Sequence, residues 1–111
     1  MNDQKFNACI EACNACAVSC NRCIGTCLGG PDVKSMSRCM ALCIECADIC
    51  VTAAAVMARG GESAAAICKV CADVCQLCAE ECAKHDMPNC QECAKACQRC
   101  AQECRSMAAV A

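Results

Sequence analysis

Apolar and polar positions along this chain repeat with the spacing of an α-helix. Residues 9–27, CIEACNACAVSCNRCIGTC, place cysteine at successive gaps of 4, 3, 4, 3 and 4 positions. Alternating gaps of three and four align side chains along one face of a helix, at the a and d positions of a heptad. Apolar residues nowhere alternate for long with the period of two that is typical of a strand. The sequence therefore predicts an all-α fold.

Glycine and proline divide the chain into four helical segments. The breaks are LGGPDV at 28–33, RGGES at 59–63 and KHDMPN at 84–89. The third and fourth segments both fit C-x-x-C-A-x-x-C-Q-x-C-A-x-E-C, and the first segment keeps the same five cysteines in register. Short connections make successive helices antiparallel. We therefore expect a single domain over residues 1–111, an antiparallel up-down-up-down four-helix bundle with a cysteine-lined core.

All 20 cysteines lie on the four helix faces that this pattern brings together, and we call this set the cysteine core. Its members are Cys9, Cys13, Cys16, Cys20, Cys23, Cys27, Cys39, Cys43, Cys46, Cys50, Cys68, Cys71, Cys75, Cys78, Cys82, Cys90, Cys93, Cys97, Cys100 and Cys104. Leucine, isoleucine and valine are almost excluded from these faces but occur elsewhere, as at Ile44 and Leu77. Cysteine is therefore expected to do more here than fill space as a small apolar side chain.

Thiolates are soft ligands, and the monovalent Cu(I) ion suits them. If each Cu(I) takes two thiolates and each thiolate bridges two ions, the counts of copper and thiolate match and the interior is close to neutral. Isolated Zn²⁺ sites with four cysteines would each bury two uncompensated negative charges. The cysteine core therefore predicts binding of multiple Cu(I) ions per chain, with a capacity of roughly 20.

Two other functions remain open from the sequence. A zinc or mixed-metal thiolate buffer would use the same thiols, and a copper chaperone would deliver one ion by docking to a partner. Chaperones usually present C-x-x-C on an exposed loop, whereas each such pair here lies within a predicted helix. A disulfide scaffold is disfavoured, because helical neighbours have Cβ atoms about 5–6 Å apart and a disulfide needs about 3.8 Å.

The charge and hydropathy of the chain disfavour binding to nucleic acid or to a membrane. Ten basic and 12 acidic residues give a net charge of −2. This balance does not suggest the positively charged surface that binds nucleic acid or anionic lipid. Asp3, Lys5 and Glu11 disfavour a secretory signal, and the longest charge-free apolar stretch, 49–58, is too short to span a bilayer. We expect a cytoplasmic protein that binds neither nucleic acid nor membrane, in a compartment that keeps thiols reduced. Nothing in the pattern suggests an enzyme.

The two ends of the predicted tube differ in chemistry. One end collects His85, Met36 and Met87, with Met40 nearby, and thioether and imidazole groups can pass Cu(I) between them. His85 and Met36 are therefore candidate copper ligands. The other end has the character of an apolar plug, and its residues are Phe6, Ala53, Met57, Ala64 and Met107.

The chain resembles the bacterial copper storage proteins, in the branch that lacks an export signal. The segments that carry the resemblance are CIEACNAC, CIECADIC, CADVCQLCAEECAKHD and CQECAKACQRCAQECRSMA, which together extend over most of the chain. The resemblance implies a four-helix bundle that stores many Cu(I) ions on inward cysteines, takes up copper at a His- and Met-bearing end, and assembles as a homotetramer.

The second and third segments also carry apolar residues beyond the cysteine core. These are Met40, Leu42, Ile44, Ile49, Val51 and Val56 on the second, and Ile67, Val70, Val74 and Leu77 on the third. Some must flank the narrow core, and the remainder would form an exposed patch of the kind that marks an interface. We therefore expect a homo-oligomer whose contacts involve mainly these two helices.

Overall fold

The computed structural model describes residues 3–110 and contains four long helices. They are α1 (Asn7–Leu28), α2 (Ser37–Ala58), α3 (Ala64–Ala83) and α4 (Pro88–Val110). Single 3₁₀ turns precede α1 and α2, at Asp3–Phe6 and Lys34–Met36. The described part of the chain contains no strand, so the predicted all-α fold is confirmed.

Helices that follow one another in the chain pack side by side, and α4 closes the bundle against α1. The molecule measures 49 × 18 × 18 Å, which is the shape of four helices of this length lying along one axis. The three connections are short, as the glycine and proline positions predict. The predicted four-helix bundle is therefore also confirmed.

The α2–α3 connection shows why glycine marks these breaks. Gly60 has a φ of 64°, in the left-handed region that a side chain disfavours. Its N–H donates to Met57 O at 3.0 Å, and the Gly61 N–H donates to Val56 O at 3.0 Å. These two bonds form a Schellman motif, which satisfies carbonyl groups at the end of α2 and reverses the chain.

The α3–α4 connection is shorter than the predicted break at 84–89, because α4 begins at Pro88. Proline is well suited to the first position of a helix, where its missing N–H would have had no helical partner. Asn89 and Cys90 therefore belong to the first turn of α4, and this places them beside the end of α1.

Alanine allows the helices to approach one another closely. Each segment has an alanine directly after its second aligned cysteine, at Ala17, Ala47, Ala72 and Ala94, and all four are buried. With only a methyl group at these positions, the cysteine faces come close enough for thiols on different helices to touch.

By length and composition, the segment Lys34–Ala58 would be able to cross a membrane, with a mean hydropathy of 1.9 over its best window. The sequence-based argument from charge-free stretches did not detect this. In the bundle, the four cysteines of α2 are completely buried against the other helices. Cysteine and alanine in the protein core thus contribute part of the hydropathy of α2, and 39% of the apolar window is buried inside the bundle.

Candidate metal centre

The cysteine core is the interior of the bundle. Nineteen of its 20 side chains have no exposed surface, and Cys27 is 3% exposed. All 20 are free thiols. The sequence-based expectation that the thiols line one interior tube therefore agrees with the structure.

Sulfur atoms on different helices are in contact along the tube. In the middle of the bundle, Cys46 Sγ on α2 lies 3.5 Å from Cys16 Sγ on α1 and 3.5 Å from Cys75 Sγ on α3. Cys16 Sγ in turn lies 3.5 Å from Cys97 Sγ on α4. One cluster of thiols thus joins all four helices without any covalent bond between them.

The thiols form overlapping groups of four in which all sulfur atoms lie within 4.8 Å of one another. Two of these groups are Cys16–Cys46–Cys50–Cys75 and Cys16–Cys20–Cys46–Cys97, which share two members. Closed Zn²⁺ sites each need four ligands of their own. Shared sulfur atoms instead suit bridging thiolates and many monovalent ions, so the geometry favours Cu(I).

One end of the tube has an opening, which we call the mouth and define by residues 26–36 and 84–89. It contains a cavity of about 120 Å³. The cavity is lined by Thr26, Cys27, Gly30, Pro31, Asp32, Met36 and Met87. Cys27 is thus the member of the cysteine core that faces this cavity, and the thioethers of Met36 and Met87 lie on its walls. Met36 is 5% exposed and Met87 is 36% exposed.

His85 lies near the mouth but is held by a carboxylate. Its Nε2 is 2.8 Å from Glu81 Oε2, and its side chain is 22% exposed. His85 is not among the residues that line the cavity. Of the two candidate ligands outside the cysteine core, the structure therefore places Met36 at the cavity and His85 beside it.

Glu81 is a functional candidate that the sequence analysis missed. Its side chain is 10% exposed, and it forms ion pairs with Arg38 and, at 3.6 Å, with Lys84. The hydrogen bond with His85, together with Arg38 and Lys84, holds the pKa of this carboxyl below its usual value. The i, i+4 spacing of Glu81 and His85 was visible in the sequence, but the approach of Arg38 from α2 required the fold.

Asn89 is a second residue that the sequence analysis missed. Its Nδ2 lies 3.4 Å from Cys23 Sγ, 3.6 Å from Cys90 Sγ and 4.0 Å from Cys27 Sγ. Those sulfur atoms come from the end of α1 and the start of α4. A side-chain amide therefore faces the thiols at the mouth.

Burial favours the protonated thiol at Cys27 and at Cys90, beside the mouth. Desolvation raises the pKa of the Cys27 thiol to about 11, and it also raises the pKa of Cys90. A metal ion that binds here must therefore displace protons.

The opposite end of the tube is apolar, as predicted. Phe6, Ala53, Met57 and Ala64 are all buried there, and Met57 has no exposed surface. Met107, the fifth residue of the predicted plug, is partly buried and packs against the protein core. The two ends of the tube therefore differ: one has soft donors and a cavity, and the other is closed by apolar side chains.

Comparison with known proteins agrees with this geometry. The family model described as "Copper storage protein" matches residues 2–109. An uncharacterized cysteine-rich protein of Bacillus subtilis (strain 168), YhjQ, is 48% identical over 107 residues, covering 96% of this chain and 99% of the relative.

Two solved structures are also similar. The Cu(I)-bound copper storage protein BsCsp3 has 47% identity and a TM-score of 0.91, over 94% of this chain and 98% of that one. A cytosolic copper storage protein from Streptomyces lividans, solved during copper loading with five coppers, has 35% identity and a TM-score of 0.94, over 98% of this chain and 96% of that one. With its four helices and its 20 buried thiols, the chain belongs to the copper storage protein family.

Proposed function

We propose that this protein stores Cu(I) in bulk, as many ions held at once by thiolates of the cysteine core. The observation that carries this function is the set of overlapping four-sulfur groups inside the bundle. Because each thiolate can bridge two ions, the capacity is roughly 20 ions per chain. The function is storage and not catalysis, since the interior of the bundle is lined by buried thiols, which are metal ligands.

A chaperone that carries a single ion fits the structure poorly. Transfer by docking needs thiols at the surface, and the most exposed member of the cysteine core, Cys27, has only 3% of its surface accessible. A zinc buffer fits poorly as well, because the four-sulfur groups share their members.

Copper is taken up at the mouth. The thioethers of Met36 and Met87 and the thiol of Cys27 surround one cavity, so an ion can pass between soft donors until it reaches the interior. Glu81 holds Nε2 of His85 and thereby leaves Nδ1 as the ring nitrogen available to copper. Met36 and His85 are accordingly ligands during uptake, while the cysteines hold the store.

The protein works in the cytosol, where cellular reductants keep the thiols available. The Streptomyces lividans relative is described as cytosolic, which supports this assignment. The net charge of −2 gives no reason to expect binding to nucleic acid or to membranes.

The chain assembles as a homotetramer through the outer faces of α2 and α3. Exposed apolar side chains occur seven residues apart on each helix, at Ile44 and Val51 on α2 and at Val70 and Leu77 on α3, each between 47% and 55% exposed. The other apolar residues of the predicted set are partly buried against the core: Met40, Leu42, Ile49, Val56, Ile67 and Val74. The proposed interface therefore consists of the four exposed residues, Ile44, Val51, Val70 and Leu77, and not of the whole predicted set.

An anaerobic titration with Cu(I), followed by competition with a strong Cu(I) chelator, tests the storage function. We expect saturation near 20 ions per chain and retention of most ions against the chelator. Saturation at one or two ions would contradict storage. A parallel sample loaded with Zn²⁺ is the control, because zinc that stays bound in excess Cu(I) would identify a zinc buffer.

A further inference from the structure

We infer that Asn89 is a positioning residue for the outermost copper ions, through N–H···S hydrogen bonds to the thiolates of Cys23, Cys90 and Cys27. The amide nitrogen lies 3.4, 3.6 and 4.0 Å from those three sulfur atoms. We call these three thiols the outer group. The inference rests on the proposed copper store and assigns a role to a side chain that is not itself a copper ligand.

The chemistry of the amide explains why it faces sulfur. An asparagine amide has two N–H donors, and a protonated thiol is only a weak acceptor for them. A thiolate is a charged acceptor, and hydrogen bonds to charged groups are about twice as strong as neutral ones. The contact therefore contributes little while the store is empty and much more once copper has replaced the thiol protons.

Neighbouring hydrogen bonds hold the backbone of Asn89 so that its amide faces the sulfur atoms. Gln91, two residues later, donates from Nε2 to His85 O at 2.7 Å and to Ala83 O at 3.3 Å. The Cys90 N–H donates to Met87 O at 3.0 Å, which fixes the first turn of α4. These hydrogen bonds tie the α3–α4 connection to α4 and hold the backbone at Asn89 in place.

Asn89 is partly exposed, so water is available to its amide. The donor nevertheless faces three sulfur atoms that belong to two different helices. Cys23 Sγ and Cys90 Sγ are themselves 3.8 Å apart, so one amide can serve a pair of thiolates that would share an ion. The role that follows is retention, since Cys27 of the outer group lines the cavity at the mouth and Cys90 directly follows Asn89.

The outer group also has the greatest need for a donor. Inside the tube each thiolate would have copper ions on several sides, whereas a thiolate at the mouth would have fewer ions around it to offset its negative charge. A neutral N–H donor stabilises the negative charge of such a thiolate. It competes with copper for the sulfur atom less strongly than a cationic side chain would.

The test compares release of copper from fully loaded protein to a chelator for four proteins. These are the wild type, Asn89→Leu, Asn89→Gln and Asn21→Leu. Leucine is close to asparagine in size and has no donor, and glutamine keeps the amide. Asn21 is exposed on α1 near the same end and serves as the matched control.

For Asn89→Leu we expect the first few ions to be released about tenfold faster or at about tenfold lower affinity, with the deeper ions unchanged. Asn89→Gln should recover part of this loss, and Asn21→Leu should behave as wild type. The ultraviolet charge-transfer absorption of the last ions added should also shift in Asn89→Leu, which a merely structural role would not produce.

Release curves and absorption spectra that coincide for wild type and Asn89→Leu would overturn the inference. So would equal losses in Asn89→Leu and Asn89→Gln. In either case the wild type would still load many ions, whereas failure of the storage function itself would appear as a wild type that binds few. The two failures are therefore distinguishable.

Discussion

The Sγ atoms of Cys16 on α1 and Cys46 on α2 lie 3.5 Å apart, and both belong to two four-sulfur groups. This pair is the point where neighbouring metal sites share ligands. A sulfur atom that belongs to two groups bridges more ions than one at the edge of the cluster. Position along the tube should therefore decide how much each cysteine contributes to the capacity.

Replacing Cys46 by alanine should lower the Cu(I) capacity by about two to three ions, because the lost thiolate served several sites. Replacing Cys27, at the edge of the cluster, should cost about one ion. Anaerobic Cu(I) titration of both variants against wild type measures the difference. Equal losses for Cys46→Ala and Cys27→Ala would show that the sites do not share ligands as the geometry indicates.

Copper loading should release protons at neutral pH, up to about one for each thiolate formed. Burial raises the pKa of the Cys27 thiol to about 11, so the thiol is protonated before copper arrives. Copper affinity should accordingly fall as the pH is lowered, since protons and copper compete for the same sulfur atoms. A pH indicator in weakly buffered solution measures the release during titration, and release of far fewer protons than ions bound would contradict this prediction.

Replacing Glu81 by glutamine should destabilise the metal-free protein by about 1 kcal/mol, because Arg38 and His85 lose a charged partner. Arg38 is 60% exposed, so solvent screening keeps the effect modest. The pKa of Glu81 is lowered in the folded state. Its contribution is therefore present above the pKa of the unfolded chain and is lost as the pH falls through the folded value.

Denaturant unfolding of metal-free protein at neutral and acidic pH checks both statements. Glu92→Gln is the control, since this carboxylate is exposed on α4. The difference between wild type and Glu81→Gln should disappear at low pH. A difference that persists unchanged into acid would mean that the substitution acts through packing and not through charge.

Replacing both Val70 and Leu77 by glutamate should dissociate the oligomer, because charged side chains would replace the apolar surface of α3. Light scattering should give the wild type a mass of about four times 11.5 kDa. The double variant should have a lower mass and still bind copper. Val18→Glu is the control, because Val18 is 49% exposed on α1, away from the proposed interface. A wild type of monomer mass would refute the assembly and leave the storage function unaffected.

The cysteine core and the helices could be predicted from sequence because both follow from one local rule. Gaps of three and four put the thiols on one face of each helix, and a bundle has only one interior in which four such faces can meet. Met36 could be placed near the mouth for the same reason, since it continues the spacing of Cys39 by one further turn.

Glu81 and Asn89 could not be predicted in the same way. Their partners Arg38 and Cys23 are distant in the sequence, and the contacts depend on how far α3 and α4 slide along their neighbours. The outer apolar residues show a related limit. Ile44 and Ile49 look alike in the sequence, but only Ile44 is largely exposed, and a small rotation of α2 decides which one faces solvent.

In this molecule the cargo and the protein core occupy the same volume. The empty bundle has thiols and alanines where other domains of its size have leucine and phenylalanine, so its folded state is held mainly by small side chains. Ions that bind only the folded form lower the fraction of unfolded chains. Cellular proteases act on unfolded chains, so they would remove empty copies first and leave filled ones. The lifetime of each copy in the cell would then be set by the copper that it carries.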